Sequence, residues 1–91
     1  MNKINLTEVL FDIRDKYKTY ILREYKKINL LDRSDIYFFI LGESGCNELS
    51  EIWLSVSEKL SFILTKGFKT LYEGMDFEKC LSALDVVLGR N

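Results

Sequence analysis

Neither histidine nor proline occurs in this chain of 91 residues. Without histidine, it lacks the commonest general base near neutral pH and the commonest metal ligand. Cysteine is scarce as well: Cys46 and Cys80 stand far apart with no CxxC pair, so a structural zinc site has no ligand set. One bridge between them would be a sparse framework for a small secreted protein. No GxGxxG or Walker sequence occurs, and no serine sits in a nucleophile-elbow context. The GxxG spacing within "GESGCN" (42–47) lacks the lysine and hydroxyl residue of a phosphate loop and reads as a plain turn. The carboxylates fall at helix caps or on polar faces. These absences together predict a protein that is not an enzyme, with no catalytic residues, no metal and no cofactor.

Long hydrophobic runs are missing too. The longest, "IYFFIL" at 36–41, is far short of the ~18 to 20 apolar residues a membrane span requires. The opening "MNKINLTEVLFDIRDK" has no uninterrupted apolar core of a signal peptide. With a formal charge of −1, the chain is neither a strong polycation nor an acidic mimic of nucleic acid. It is therefore expected to be cytoplasmic with free thiols, away from membranes, and without nucleic acid as its partner. An apolar content of 47%, with 13% of all residues aromatic, matches a folded globular protein. At this length, residues 1–91 form one domain.

The complete lack of proline leaves the chain free to be helical, and hydrophobic periodicity supports that. Asn5 reads as an N-cap with Glu8 in the capping-box position, and Ile4 and Val9 can form a hydrophobic staple. Leu6, Val9, Ile13, Tyr17, Ile21 and Ile28 then follow helical spacing, predicting a first helix over 6–28. In 36–41, residue propensity favours a strand. A strand needs a partner, however, and "LSFIL" at 60–64 reads as part of a longer helical pattern. Residues 33–41 are accordingly expected as a short all-apolar helix ending at Gly42, with an intermolecular strand as the other reading. A third helix is capped by Asn47 and carries Ile52, Trp53, Val56, Leu60, Ile63 and Leu64 on its stripe. Periodicity persists through Gly67 to about Tyr72, which favours continuity. Asp76 caps a last helix over 77–88, which Gly89 stops. The fold expected from sequence is all-α: a small bundle of about four helices, two long and two short.

Such a bundle leaves a surplus of hydrophobic side chains. Within a helix over 33–41, Ile36, Phe39 and Ile40 share one face and are expected in the core, while Tyr37, Phe38 and Leu41 point elsewhere. Phe62 and Phe68 fall off the stripe of the third helix, and Trp53 is a further large anchor. Apolar surface beyond a core's needs marks an interface, and aromatic residues concentrate at interface centres. Tyr37, Phe38, Leu41, Trp53, Phe62 and Phe68 are thus the candidate protein-interface residues. The function expected is a non-catalytic protein-binding regulator or inhibitor, occluding a partner sterically through an apolar helical face. A second reading takes "RDKYKTYILREYKK" (14–27) as a basic, tyrosine-bearing helix face, with Arg14, Lys18, Tyr25 and Lys26 binding a small ligand or the phosphate of a nucleotide. A third is a homo-oligomeric structural module, so the partner is another protein, the chain itself in a homodimer, or both.

Overall fold

The computed structural model describes residues 5–42 and 51–89. The chain runs α1 (Leu6–Lys16), β1 (Ile21–Ile28), β2 (Asp35–Leu41), β3 (Ile52–Ser57), β4 (Phe62–Lys66), β5 (Lys69–Gly74) and α2 (Phe77–Leu88). The five strands form one antiparallel sheet in sequential order, β1-β2-β3-β4-β5. An all-α bundle of four helices is therefore incorrect: two helices and a five-stranded sheet stand in its place.

Both outer helices begin where their caps direct, and the second also ends there. The Asn5 side chain accepts from the Glu8 backbone N–H at 2.8 Å, and its amide donates to the Glu8 carboxylate at 3.0 Å. The Asp76 side chain accepts from the Lys79 N–H at 3.1 Å, and α2 closes on Gly89 in the left-handed conformation at φ 73°. The first helix stops at Lys16 instead of continuing to residue 28. A turn over 17–20 follows, in which the Tyr20 and Ile21 N–H groups both donate to the Tyr17 carbonyl. Residues 21–28 are then the first strand.

The expected second and third helices give way because each supplies the partner that the other's strand requires. Residues 35–41 pair with β1 on one side and with β3 on the other, so no backbone row of "IYFFIL" is orphaned. In "IWLSVS" burial alternates strictly along the chain, the period-2 signature of a sheet with one covered face. Nor is the third helix continuous through Gly67. Lys66 pairs with Lys69, leaving Gly67 and Phe68 as a two-residue hairpin turn, and Gly67 supplies the positive φ (61°) that the turn demands. Cys46, the Asn47 cap and the "GESGCN" loop beyond Gly42 lie outside the described residues, as does Ile4.

Both helices cover the same face of the sheet. Val9, Ile13 and Tyr17 from α1 and Phe77, Cys80 and Leu84 from α2 join one core cluster with inward residues of β2, β3 and β4. The Phe62 ring stacks on Phe77 at 5.2 Å between centroids, and the Arg14 guanidinium lies 5.9 Å from the Phe39 ring centre. The helices are tied to each other through Asp85, which accepts from the Tyr17 hydroxyl at 2.7 Å and from Lys16 at 3.1 Å. Among the described residues, no helix is long and apolar enough to cross a membrane.

Candidate functional site

A sheet covered on one side by helices has a second side, and here it bears the unusual chemistry. Directly paired residues of neighbouring strands share a face, so the register reads that side out row by row. One row across the strands is Tyr25, Phe38, Ser55, Ile63 and Glu73, and the next is Arg23, Ile40, Trp53, Thr65 and Thr70. A bulge at Leu22 between the paired residues Ile21 and Arg23 puts Ile21 on the core side and Arg23 on the open side.

Aromatic rings occupy the first three strands of this face. Tyr25 stacks on Phe38 with centroids 5.2 Å apart and planes at 18°, and meets Trp53 edge-on at 6.2 Å. The Lys27 ammonium lies 5.7 Å from the Tyr25 ring and 6.0 Å from the Phe38 ring, so its charge stands above the stack. Beyond Phe38 and Trp53 the surface sinks into an open depression of about 320 Å³, continued by Ser55, Ile63, Thr65 and Gly67. Nothing in that lining is charged. The face therefore has a raised aromatic stack on the β1–β2 side and a neutral hollow on the β3–β4 side.

One ion pair borders the patch. Arg23 reaches Glu51 with both carboxylate oxygens in range, at 3.1 and 3.3 Å. The Glu51 side chain is only 9% exposed while that of Arg23 is 56% exposed, so a nearly buried carboxylate is neutralised by a cation that remains wet. Ile40 lies in register between Arg23 and Trp53 and is 1% exposed although it is on the helix-free side.

The interface residues expected from sequence are divided by the sheet. Phe38 and Trp53 come together on the open face. Leu41 and Phe62 are fully buried beneath the helices, and Tyr37 is half-buried on that same side. Phe68 is wholly exposed at the tip of the β4–β5 hairpin. Phe39 is core, as expected, whereas Ile36 lies on the open side next to Ser57. An apolar helical face is thus replaced by a sheet face as the exposed apolar surface.

The basic tyrosine set is not gathered. Arg14 on α1 is paired with Glu24 at 2.8 Å, and Lys18 is in the turn after the helix. Tyr25 joins the open face, while Lys26 lies on the opposite side over Tyr37 and pairs with Asp35 at 3.6 Å. Sequence reasoning passed over Lys27, Ser55, Ile63, Thr65 and Glu73 as site residues, although the alternation of "IWLSVS" was a signal that places Ser55 on one strand face with Trp53. No family model matches the chain, and neither a curated protein nor a solved structure is similar to it. Fold and surface together define a small two-layer protein, two helices on one face of a five-stranded meander whose other face carries no helix among the described residues.

Proposed function

We propose that this chain is a non-catalytic protein-binding regulator whose working surface is the helix-free face of its sheet. The observation that carries the reading is the Tyr25–Phe38–Trp53 cluster, set beside a neutral hollow on a strand-built surface. Tyrosine and tryptophan are favoured as interface anchors because they supply large contact area for little conformational entropy, with a polar tip that tolerates water. Serine and threonine between them keep the free protein soluble and accept hydrogen bonds on docking. The mechanism is steric: a polypeptide seated on the face is masked from other partners. The reading takes the protein as cytoplasmic.

Capture from the source cell tests it. Wild type, Phe38→Ser and Phe11→Ser are immobilised side by side; Phe11 is exposed on α1, away from the sheet's open side. The proposal expects a protein retained by wild type and by Phe11→Ser and lost with Phe38→Ser. Identical retention by all three overturns it.

A further inference from the structure

Resting on that reading of the sheet face, we infer which polypeptide it is built to receive: a second copy of this chain, packed face to face as a β-sandwich with β1 of each copy over β5 of the other.

Charge placement leads to this arrangement. On the open face the two edge strands carry opposite signs. Lys27 of β1 stands over the aromatic stack, and Glu73 of β5 pairs with Ile63 on the same side. Neither belongs to an ion pair among the described residues. The strands between them present no charged side chain to this side in the two described rows: Phe38, Ile40, Trp53, Ser55, Ile63 and Thr65. A two-fold axis running along β3 lays β1 over β5 and β2 over β4. Lys27 then approaches Glu73 of the second copy at both ends of the interface. An axis across the strands would instead set β1 over β1 and β5 over β5, matching like with like. Unpaired like charges held together destabilise a docked pair, so only the first orientation is self-complementary, as an isologous interface must be.

Shape agrees with charge. The first orientation places Phe38 at the level of Ile63 of the second copy, because Phe38, Ser55 and Ile63 share one row. Phe38 of each copy thereby stands over Ile63 at the β4 side of the other's hollow, of about 320 Å³, while Tyr25 lies over β5. Trp53 lies on the strand along the axis and meets its own equivalent. Lys27 is two residues from Tyr25, ~7 Å along the strand, which a lysine side chain spans to reach Glu73 at the Tyr25 level. Five strands at ~4.8 Å spacing and ~20 Å length give a face of roughly 500 Å² in plan. With side-chain relief this approaches the ~800 Å² per partner of a stable interface. Aligned sheets packing at about 30° make sandwiches of this kind. A target protein that takes the face does so in exchange for the second copy, which makes self-association a brake on the regulator.

Charge reversal and its rescue form the test, read by sedimentation equilibrium of purified full-length chains, with circular dichroism confirming the fold of each variant. Wild type is expected to be dimeric. Lys27→Glu alone and Glu73→Lys alone should each raise the dimer dissociation constant by roughly tenfold or more, since two symmetric contacts become repulsive. The double variant K27E/E73K restores the dimer. An equimolar mixture of the two single variants also restores association, because each then offers the other only opposite charges. A wild type that stays monomeric overturns the inference, as does a dimer indifferent to both reversals. Either failure is distinct from failure of the sheet-face reading, which is decided by whether Phe38→Ser loses a captured protein.

Discussion

Phe38 and Phe39 are neighbours in the chain and end on opposite sides of the sheet. Phe39 is 1% exposed beneath the helices, while Phe38 lies on the helix-free side stacked on Tyr25 at 5.2 Å. The pleat alone separates them. Phe39→Ala empties a packed position between α1 and the sheet and should cost ~3 to 5 kcal/mol of folding stability, a large share of the ~5 to 15 kcal/mol a domain has. Phe38→Ala removes a half-exposed ring and one stacking partner, and ~1 kcal/mol is the expected loss. Urea denaturation of the two variants checks this. Equal midpoints would mean that both rings are core and that the open face is not open.

The Arg23–Glu51 pair makes a second prediction because its two members differ in burial. Arg23→Ala leaves the nearly buried Glu51 carboxylate without its cation, and a charged group stripped of its partner costs more than the pair was worth. A loss of ~1 to 2 kcal/mol is expected. Glu24→Ala breaks the Arg14 pair, in which both side chains are well exposed, and should cost under ~0.5 kcal/mol. Raising the salt concentration should diminish the Glu24 effect more than the Arg23 effect. The same urea titrations at low and high salt measure both, and a reversed order would contradict the burial assigned to Glu51.

The ends of this fold are legible in the sequence and its middle is much less so. Asn5 with Glu8, and Asp76 with Gly89, are local signals whose meaning depends on a few neighbouring residues, and they mark helix ends in the structure. Strands depend on distant partners. β1 and β2 pair across the loop at 29–34, which the Asn29 and Asp32 side chains shape by accepting from the Leu31 and Ser34 N–H groups. Leu60, in the β3–β4 turn, adopts a positive φ of 62°, which no leucine advertises. The helical rhythm read through 49–71 arose because three short strands, the last only begun, and their turns happened to space apolar residues by three and four. The division of Phe38 from Phe39 survives the change of fold, since both a helix and a strand place adjacent residues on different faces. Tyr37, Leu41 and Phe62 do not survive it, because a pleat assigns them by parity to the helix-covered side.

Cys80 gives a prediction with a pH sign. Burial in the α2 core pushes its thiol up to about 12 from an ordinary value of 9.0, and the thiolate is the reactive species. In a Cys46→Ser background the native protein should resist thiol reagents at pH 8, reacting only as it unfolds. The folded state holds the proton more tightly than the unfolded one. The associated stability is therefore complete below pH ~9 and is lost as pH rises from there toward 12. Compared with Cys80→Ala, the Cys80 protein should lose stability more steeply above pH 9, as denaturation at pH 8 and pH 10 would reveal. Rapid labelling of the native protein at pH 8 would show that Cys80 is not sealed in the core.

Gly67 decides between a hairpin and a helix by the sign of one substitution. In a continuous helix, replacing a glycine by alanine removes backbone freedom from the unfolded chain and stabilises by up to ~1 kcal/mol. Here Gly67 turns the chain from β4 into β5 at φ 61°, with Lys66 and Lys69 paired on either side. A Cβ at that φ is crowded by the following carbonyl, which costs ~1 to 2 kcal/mol. Gly67→Ala should thus lower stability by ~1 kcal/mol or slightly more, while Gly67→Asn should lose less, because asparagine tolerates the left-handed region. Thermal melts of the three proteins settle the order. A Gly67→Ala variant more stable than wild type would contradict the β4–β5 turn and with it the edge strand that carries Glu73.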